Sequence, residues 1–409
     1  MKRIIALVFM AAAVACSPEK DMQIEVTNPI AQDRQNEMIE LPAEKVSSIQ
    51  AKYGNAFIIT DSDGKEVAYQ VTYDDKLILQ ASVSAHETSV YTIKKGTPSI
   101  YETVACGKHY PERVDDIAWE NDRIAFRTYG PALQATGERA FGYDIWTKRV
   151  SHPVVEARYE KELNPETKAK IAELRKTDPK AAQELASATS YHNDHGDGLD
   201  YYSVGPTLGG GTAALMEDGN IVYPYCYKTY EILDNGPLRF TVSLTYNPLT
   251  IGENANVIEK RLLSLDAGSQ LNKVSVKYDN LNKKTPIASG IVMHEPSDVY
   301  KADAAKGYIA YADPKDPVNG QIYVGAVVPQ TQKLLQADAM YFSDAEKKER
   351  KANGHVLAIS EYAPGSEYTY YFGGGWSKWG FASPEDWFSY IDKYAERINN
   401  PLKVVVSGE

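Results

Sequence analysis

From residue 23 onward the chain is a succession of short alternating segments broken by turn signals. "AFIITDSDGKEVAYQVTYDDKLILQASV" alternates apolar and polar residues around Asp63-Gly64, a hairpin turn pair. "SVYTIKKG" supplies another strand before Pro98. No helical period interrupts this region, which predicts a small N-terminal β-sandwich over 22–100. Beyond it come "DRIAFRTYGPAL", "KTYEILDNGPLRFTVSLTY" and "NVIEKRLLSLDAGSQLNKVSVKYDN". "SGIVMHEP", "KGYIAYAD", "GQIYVGAVVP", "GHVLAISEYAP" and "YTYYFGGGW" follow at regular spacing. So many strands in a row predict a mainly β fold, with a large antiparallel sandwich or barrel over 101–409 rather than βαβ units.

Three stretches read as helices. Asn164 caps and Pro165 opens "NPETKAKIAELRKT"; Asp178 and Pro179 repeat the device in "DPKAAQELASATS". The two are charged on most faces, as an insertion lying over a sheet would be. Ser383, Pro384 and Asp386 begin "SPEDWFSYIDKYAERI", in which Trp387, Tyr390, Ile391 and Tyr394 share one face. That face is expected to pack on the sandwich.

The first residues, "MKRIIALVFMAAAVAC", place Lys2 and Arg3 before an apolar run and small residues, the tripartite form of a secretion signal. The join to Cys16 resembles a bacterial lipobox. It implies cleavage before Cys16 and lipidation of its thiol, the alternative being plain cleavage beside an idle cysteine. With residues 1–21 as signal and linker, roughly 390 residues remain, enough for two domains or one large one. No later run has the ~18 consecutive apolar residues of a membrane span. The expectation is a body attached to the membrane only through its N-terminal lipid: an outer-membrane lipoprotein facing the periplasm or the cell surface.

Fifty-five acidic against 44 basic residues give a net charge of −11 without a lysine or arginine stripe, which argues against a nucleic-acid partner. Cys106 and Cys226 either form a disulfide, which an exported location permits, or stay as buried thiols. Tyrosine outnumbers phenylalanine 29 to 9. A ring that packs and a hydroxyl that bonds suit an aromatic-lined sugar cleft, and equally suit ordinary strands.

"CGKHYPERVDDIAWENDRIAFRTYGPAL", "GYDIWTKR", "YHNDHGDGLDYYSVGPTLGGG" and "YEILDNGPLRFTVSLTY" together resemble a family of secreted bacterial lipoproteins known as a domain of unknown function. Its members tend to be encoded among polysaccharide-degradation genes, pectin loci included. The resemblance covers most of the mature chain and brings no catalytic residue list. The later strands also look like the supersandwich of galactose mutarotase-like folds, which recurs in polysaccharide lyases and glycosidases. These likenesses imply a saccharide partner, an oligosaccharide or polysaccharide, and a β-supersandwich for the larger part.

Candidate chemistry concentrates in four places. His109, Arg113, Glu120, Arg123, Arg127 and Tyr129 crowd two or three strands, and alternation puts Arg123, Arg127 and Tyr129 on one side. Two guanidiniums on one face suit a uronate carboxylate; they could instead pair with Glu120, Asp122 or Asp144 as sheet-face salt bridges, and "WEND" could be a tight turn. In "SYHNDHGDGLDYY", His192 and His195 interleave with Asp194, Asp197 and Asp200, followed by Tyr201 and Tyr202. Gly196 and Gly198 favour a loop over a helix. Such a loop could move protons through His192, His195 or Tyr201. It could hold a divalent metal at His192, His195 and Asp200, or only turn the chain. "MHEP" adds His294 at a strand end. "FGGGWSKWG" puts Trp376 and Lys378 on one side of a loop, a sugar platform or a plain bulge.

The reading assembled from these residues is an exported enzyme acting on acidic oligosaccharides, with no cofactor required. In β-elimination, Arg127 and Arg123 neutralise the uronate, and a catalytic His192, His195, Tyr201 or His294 moves the proton. His109, Glu120, Tyr129, Asp197, Asp200, Trp376 and Lys378 hold the substrate. Hydrolysis by two carboxylates and non-catalytic glycan binding are the alternatives.

Overall fold

The computed structural model describes residues 21–295 and 297–408 and is mainly β, built from antiparallel sheets. The first sandwich pairs a five-stranded sheet with a three-stranded one. Met22, Ile24 and Val26 point into its core with Ile59 and Ile93, against Leu77, Leu79, Ala81 and Val83 from the facing sheet. Two features depart from the sequence expectation. The helix Ala43–Tyr53 adds Val46 and Ile49 to this core. The last strand, Lys403–Ser407, closes the sheet beside Met22–Thr27, with Ile24 opposite Val406. The first sandwich therefore takes an edge from the far end of the chain, which a division into 22–100 and 101–409 does not provide.

The larger part packs a nine-stranded sheet against a five-stranded one. Val242, Leu263, Val274, Tyr370 and Phe372 on the former meet Ala213, Leu215, Ile287, Ile291 and Val356 on the latter. A buried ion pair, Arg261–Glu259, lies in this core, where Arg261 also donates to the Tyr143 hydroxyl and the Ala213 carbonyl, each at 3.0 Å. The Ala213 bond ties the two layers together.

A four-stranded sheet runs in the order Asp144–Trp146, Ala125–Thr128, Asp116–Glu120, Cys106–Tyr110. Ile117, Trp119, Phe126 and Ile145 on one face join the large core. The opposite face carries Asp116, Glu120, Arg127, Asp144 and Trp146, all buried. Period-two alternation sorts the two sets. The helix Val155–Leu163 and the loop 190–204 contact this second face.

The predicted caps are present: Asn164 accepts from the Thr167 amide and Asp178 from the Ala181 amide. At the C-terminal end, Ser383 and Asp386 form a capping box on Pro384–Asn399. Trp387 and Ile391 of that helix pack on the nine-stranded sheet, and Trp387 donates to the Val324 carbonyl at 2.9 Å. Gly325 makes the approach possible, because a Cβ there would stand 2.5 Å from Ile391. Cys106 and Cys226 are free thiols. Burial pushes them up to about 12 and about 11, and Cys226 donates to Gln134.

Candidate functional site

Arg127 is the hub of the second face, with only 6% of its side chain exposed. Its register partner is Asp144, whose Oδ2 lies 2.5 Å from Nη2. Asp200 Oδ2 is 2.9 Å from the same nitrogen, and Asp116 Oδ2 is 3.6 Å from Nη1. The guanidinium lies 5.0 Å from the Trp146 ring and 5.2 Å from that of Tyr129. Arg113 stands nearby and donates to the Tyr191 hydroxyl at 3.2 Å.

Three carboxylates around one arginine cannot all be neutralised. Burial pushes Asp116 up to about 6, against the pull of Arg127 and Arg113. Burial and then the charge of Asp144 push Asp200 well above the usual carboxylate range. Asp116 and Asp200 therefore hold a proton more readily than free carboxylates do. This corrects the expectation for Arg127: its charge is committed to three aspartates and is not free for a substrate carboxylate.

The loop that closes over Arg127 is built by its own short bonds. Asp194 Oδ1 accepts from the Gly196 and Gly198 amides at 2.9 and 3.2 Å. Gly198, at φ +105°, has the Thr147 carbonyl where a Cβ would sit, so the turn needs glycine there. His195 Nε2 lies 2.9 Å from the Ser190 carbonyl, and the Asp197 carbonyl accepts from Arg158 at 2.8 Å. His195 and Asp197 thus hold the turn. Asp194 Oδ2 faces Arg149 at 3.2 Å and Lys378 at 3.9 Å, two part-exposed cations on one carboxylate.

His192 differs from its neighbours, with 54% of its side chain exposed. Nδ1 lies 2.9 Å from the Asp200 carbonyl and 3.6 Å from the Asp200 carboxylate. A carbonyl only accepts, so the neutral ring carries its proton on Nδ1, which leaves Nε2 as the nitrogen with the lone pair in that form.

The same loop reaches His294 on its other flank. His294 Nδ1 is 2.7 Å from Asp313, and the ring also bonds the Ser203 backbone. Burial opposes the imidazolium, but the Asp313 charge and hydrogen bond outweigh it and raise His294 above its ordinary value. Tyr202 packs edge-on to His294 at 5.6 Å and feels the charges of both Asp313 and Asp144. Arg127 and His294 are therefore linked through the loop, with Tyr202 buried beside His294.

Most other candidates are engaged in contacts within the protein. Glu120 accepts from the Val154 and Val155 amides at 2.7–3.0 Å and from buried Lys148, capping the helix Val155–Leu163, which has no side-chain cap of its own. Arg123 sits in a turn and reaches Asp122 at 3.2 Å, away from Arg127. Thus Arg123 and Arg127 do not share a face, and both make the salt-bridge pairings that were the alternative. His109 faces the other side of its sheet, 3.2 Å from Asp115 and against Tyr230. Trp376 is 2% exposed and donates to the Asn319 carbonyl, so it is no open platform; Lys378 lies 5.3 Å from its ring, and Tyr201 beside it is half-buried. Among the described residues, no three His, Cys, Asp or Glu side chains are grouped to hold a metal ion, and His192 and His195 bond separate carbonyls instead. Cys16 lies outside the described residues.

"Uncharacterized protein P7" of Formosa agariphila is 24% identical over 99% of this chain and 100% of its own. A protein in glycosyl hydrolase family 38 from Enterococcus faecalis matches 95% of this chain and 48% of its own at TM-score 0.47 and 10% identity. An alpha-mannosidase from Enterococcus faecalis V583 matches 96% and 46% at TM-score 0.44 and 11% identity. The chain spans about half the length of these two solved structures. The family model described as "Domain of unknown function (DUF4861)" matches residues 26–404, and the chain belongs to that family.

Proposed function

We propose that the chain is a carbohydrate-acting enzyme that cleaves an acidic, uronate-containing oligosaccharide by β-elimination, with His192 as the proton-transfer group. The carrying observation is the exposed imidazole whose Nδ1 is fixed by the Asp200 carbonyl, leaving Nε2 as the base. Nε2 takes the proton from C5 of the uronate. The electron pair forms the C4–C5 double bond, the C4–O4 bond breaks, and the imidazolium returns its proton to O4. The Asp200 carboxyl, 3.6 Å from Nδ1, favours the transient imidazolium whenever it is ionised. Arg149 and Lys378, which converge on Asp194 two positions along the loop, replace Arg127 as the cations for the substrate carboxylate. Hydrolysis is less well supported, because Asp116, Asp144 and Asp200 are sequestered around Arg127.

Oligogalacturonate incubated with the protein tests this reading through the ultraviolet absorbance of the unsaturated uronate, with reducing-end release as a second channel. Absorbance lost in His192→Ala supports it. Reducing ends without absorbance indicate hydrolysis. Neither signal across a panel of acidic oligosaccharides leaves glycan binding without catalysis, a second reading favoured by the placement of His109 and Arg123 away from the loop. The reading includes export with lipid on Cys16 as the membrane attachment. Cys16→Ser should release the protein from the membrane fraction.

A further inference from the structure

A cleft of about 360 Å³ opens between the first sandwich and the nine-stranded sheet, and it contains none of the residues discussed above as catalytic. Arg239, Ser264, Lys273 and Tyr371 from the large sheet line it, with Gln35 to Glu40 from the strand Arg34–Leu41 on one side. Tyr390, Tyr394 and Arg397 of the last helix line the other side. The volume falls within the roughly 300–1,000 Å³ of small-molecule sites, which favour domain junctions.

The charges in this cleft are unequally partnered. Glu37 is held by Arg34, while Asp266 and Glu40 are both held by Arg239. One arginine thus serves two of the three carboxylates. Among the described residues, neither Lys273 nor Arg397 makes a salt bridge within 4 Å, and Lys273 feels the charges of Glu40 and Glu367 only at longer range. The Arg397 guanidinium lies 5.9 Å from the Tyr390 ring and 5.6 Å from that of Tyr394. Tyr371 meets Tyr394 at 5.7 Å and 67°. Two cations without a close salt bridge, beside a corner of three phenol rings, form a site for an anion carried on a flat, partly apolar body.

We propose that this cleft binds an anionic saccharide, its carboxylate or sulfate ester between Lys273 and Arg397 and its pyranose face against the tyrosines. Apolar C–H faces and peripheral hydroxyls match the mixture of rings, Gln35, Asn36 and Ser264. The site is separate from the His192 loop, so it neither needs the elimination chemistry nor supplies it.

Calorimetric titration of the full chain tests the proposal with two probes, trigalacturonate for the carboxylate and a sulfated galactan oligosaccharide for the ester. At least one should bind, more weakly in raised salt. Arg397→Gln and Lys273→Met should each weaken it roughly tenfold or more, with unchanged melting temperatures. His192→Asn should leave this binding intact, whatever it does to product formation. The probe that binds identifies the anion. No binding of either probe, undiminished binding in the double variant, or equal loss in His192→Asn overturns the proposal. Retained binding without any turnover would sink the elimination reading alone.

Discussion

Asp144 stands opposite Arg127 in the antiparallel register, and its carboxylate lies 2.5 Å from the guanidinium. The pair shares its buried site with Asp116 and Asp200, so removing the arginine would strand three carboxylates rather than one. Arg127→Met should cost about 3–5 kcal/mol at neutral pH, the range for breaking a buried charge pair. Without Arg127, which pulls both down, the raised Asp116 and Asp200 values rise further. Groups with raised folded values contribute stability below their unfolded values and lose it as pH rises through the folded ones. The deficit in urea unfolding should therefore shrink on going from about pH 7 to about pH 5. A pH-independent deficit would show that packing against Trp146, not charge, is what Arg127 supplies.

His294 and Asp313 make a second, opposite use of buried charge. The raised value of His294 means that the pair's stabilisation is complete below the ordinary value of 6.5 and is lost as pH rises through the folded value. Asp313→Asn should destabilise more at about pH 6 than at about pH 8, and the His294 ring titration followed by NMR should move downward. Both side chains are more than four-fifths covered, so solvent screening discounts the effect only modestly.

Glu120 shows a cap supplied from outside the helix it serves. Its carboxylate receives the Val154 and Val155 amides 34 and 35 positions along the chain, and Lys148 besides. Glu120→Ala removes the cap and leaves Lys148 buried without a counter-charge, which should cost about 3–5 kcal/mol. Amide exchange along Val155–Leu163 should accelerate before that of the large sheets. Exchange that rises evenly everywhere would deny the local role.

What could be read from the sequence tracks how local the physics is. The helices begun by Asn164, Asp178 and Ser383 were legible because cap and first turn lie within four residues. Ala43–Tyr53 was not: its cap position is Pro42 without a side-chain bond, and only Val46 and Ile49 mark its buried face. Alternation placed Arg123 with Arg127 by assuming a straight strand, but Asn121 bonds the Arg123 and Ile124 amides and the strand starts at Ala125. The C-terminal strand beside Met22–Thr27 and the Glu120 cap are long-range pairings that leave no local signature. In the candidate site, the histidine- and aspartate-rich loop stood out by composition. Arg149 and Asp313 gave no such signal, since single charges near strand ends are common.

The two histidines of that loop make the sharpest test of its chemistry. Both are exposed, both bond a backbone carbonyl, and they are three residues apart. They differ in which nitrogen is occupied and in what lies behind the ring. His192 uses Nδ1, backed by the Asp200 carboxyl and so by the Arg127 hub; His195 uses Nε2 on the Ser190 carbonyl within its own turn. His192→Ala should lower kcat for elimination by about 100- to 10,000-fold, the usual worth of a general acid–base group. His195→Ala should change it only a few-fold, through the turn rather than through the proton. His192→Gln, which keeps a donor for the Asp200 carbonyl but has no basic nitrogen, should be as slow as the alanine variant while melting like the native protein. Recovery of activity in His192→Gln would show that the residue positions the loop and that the base lies elsewhere.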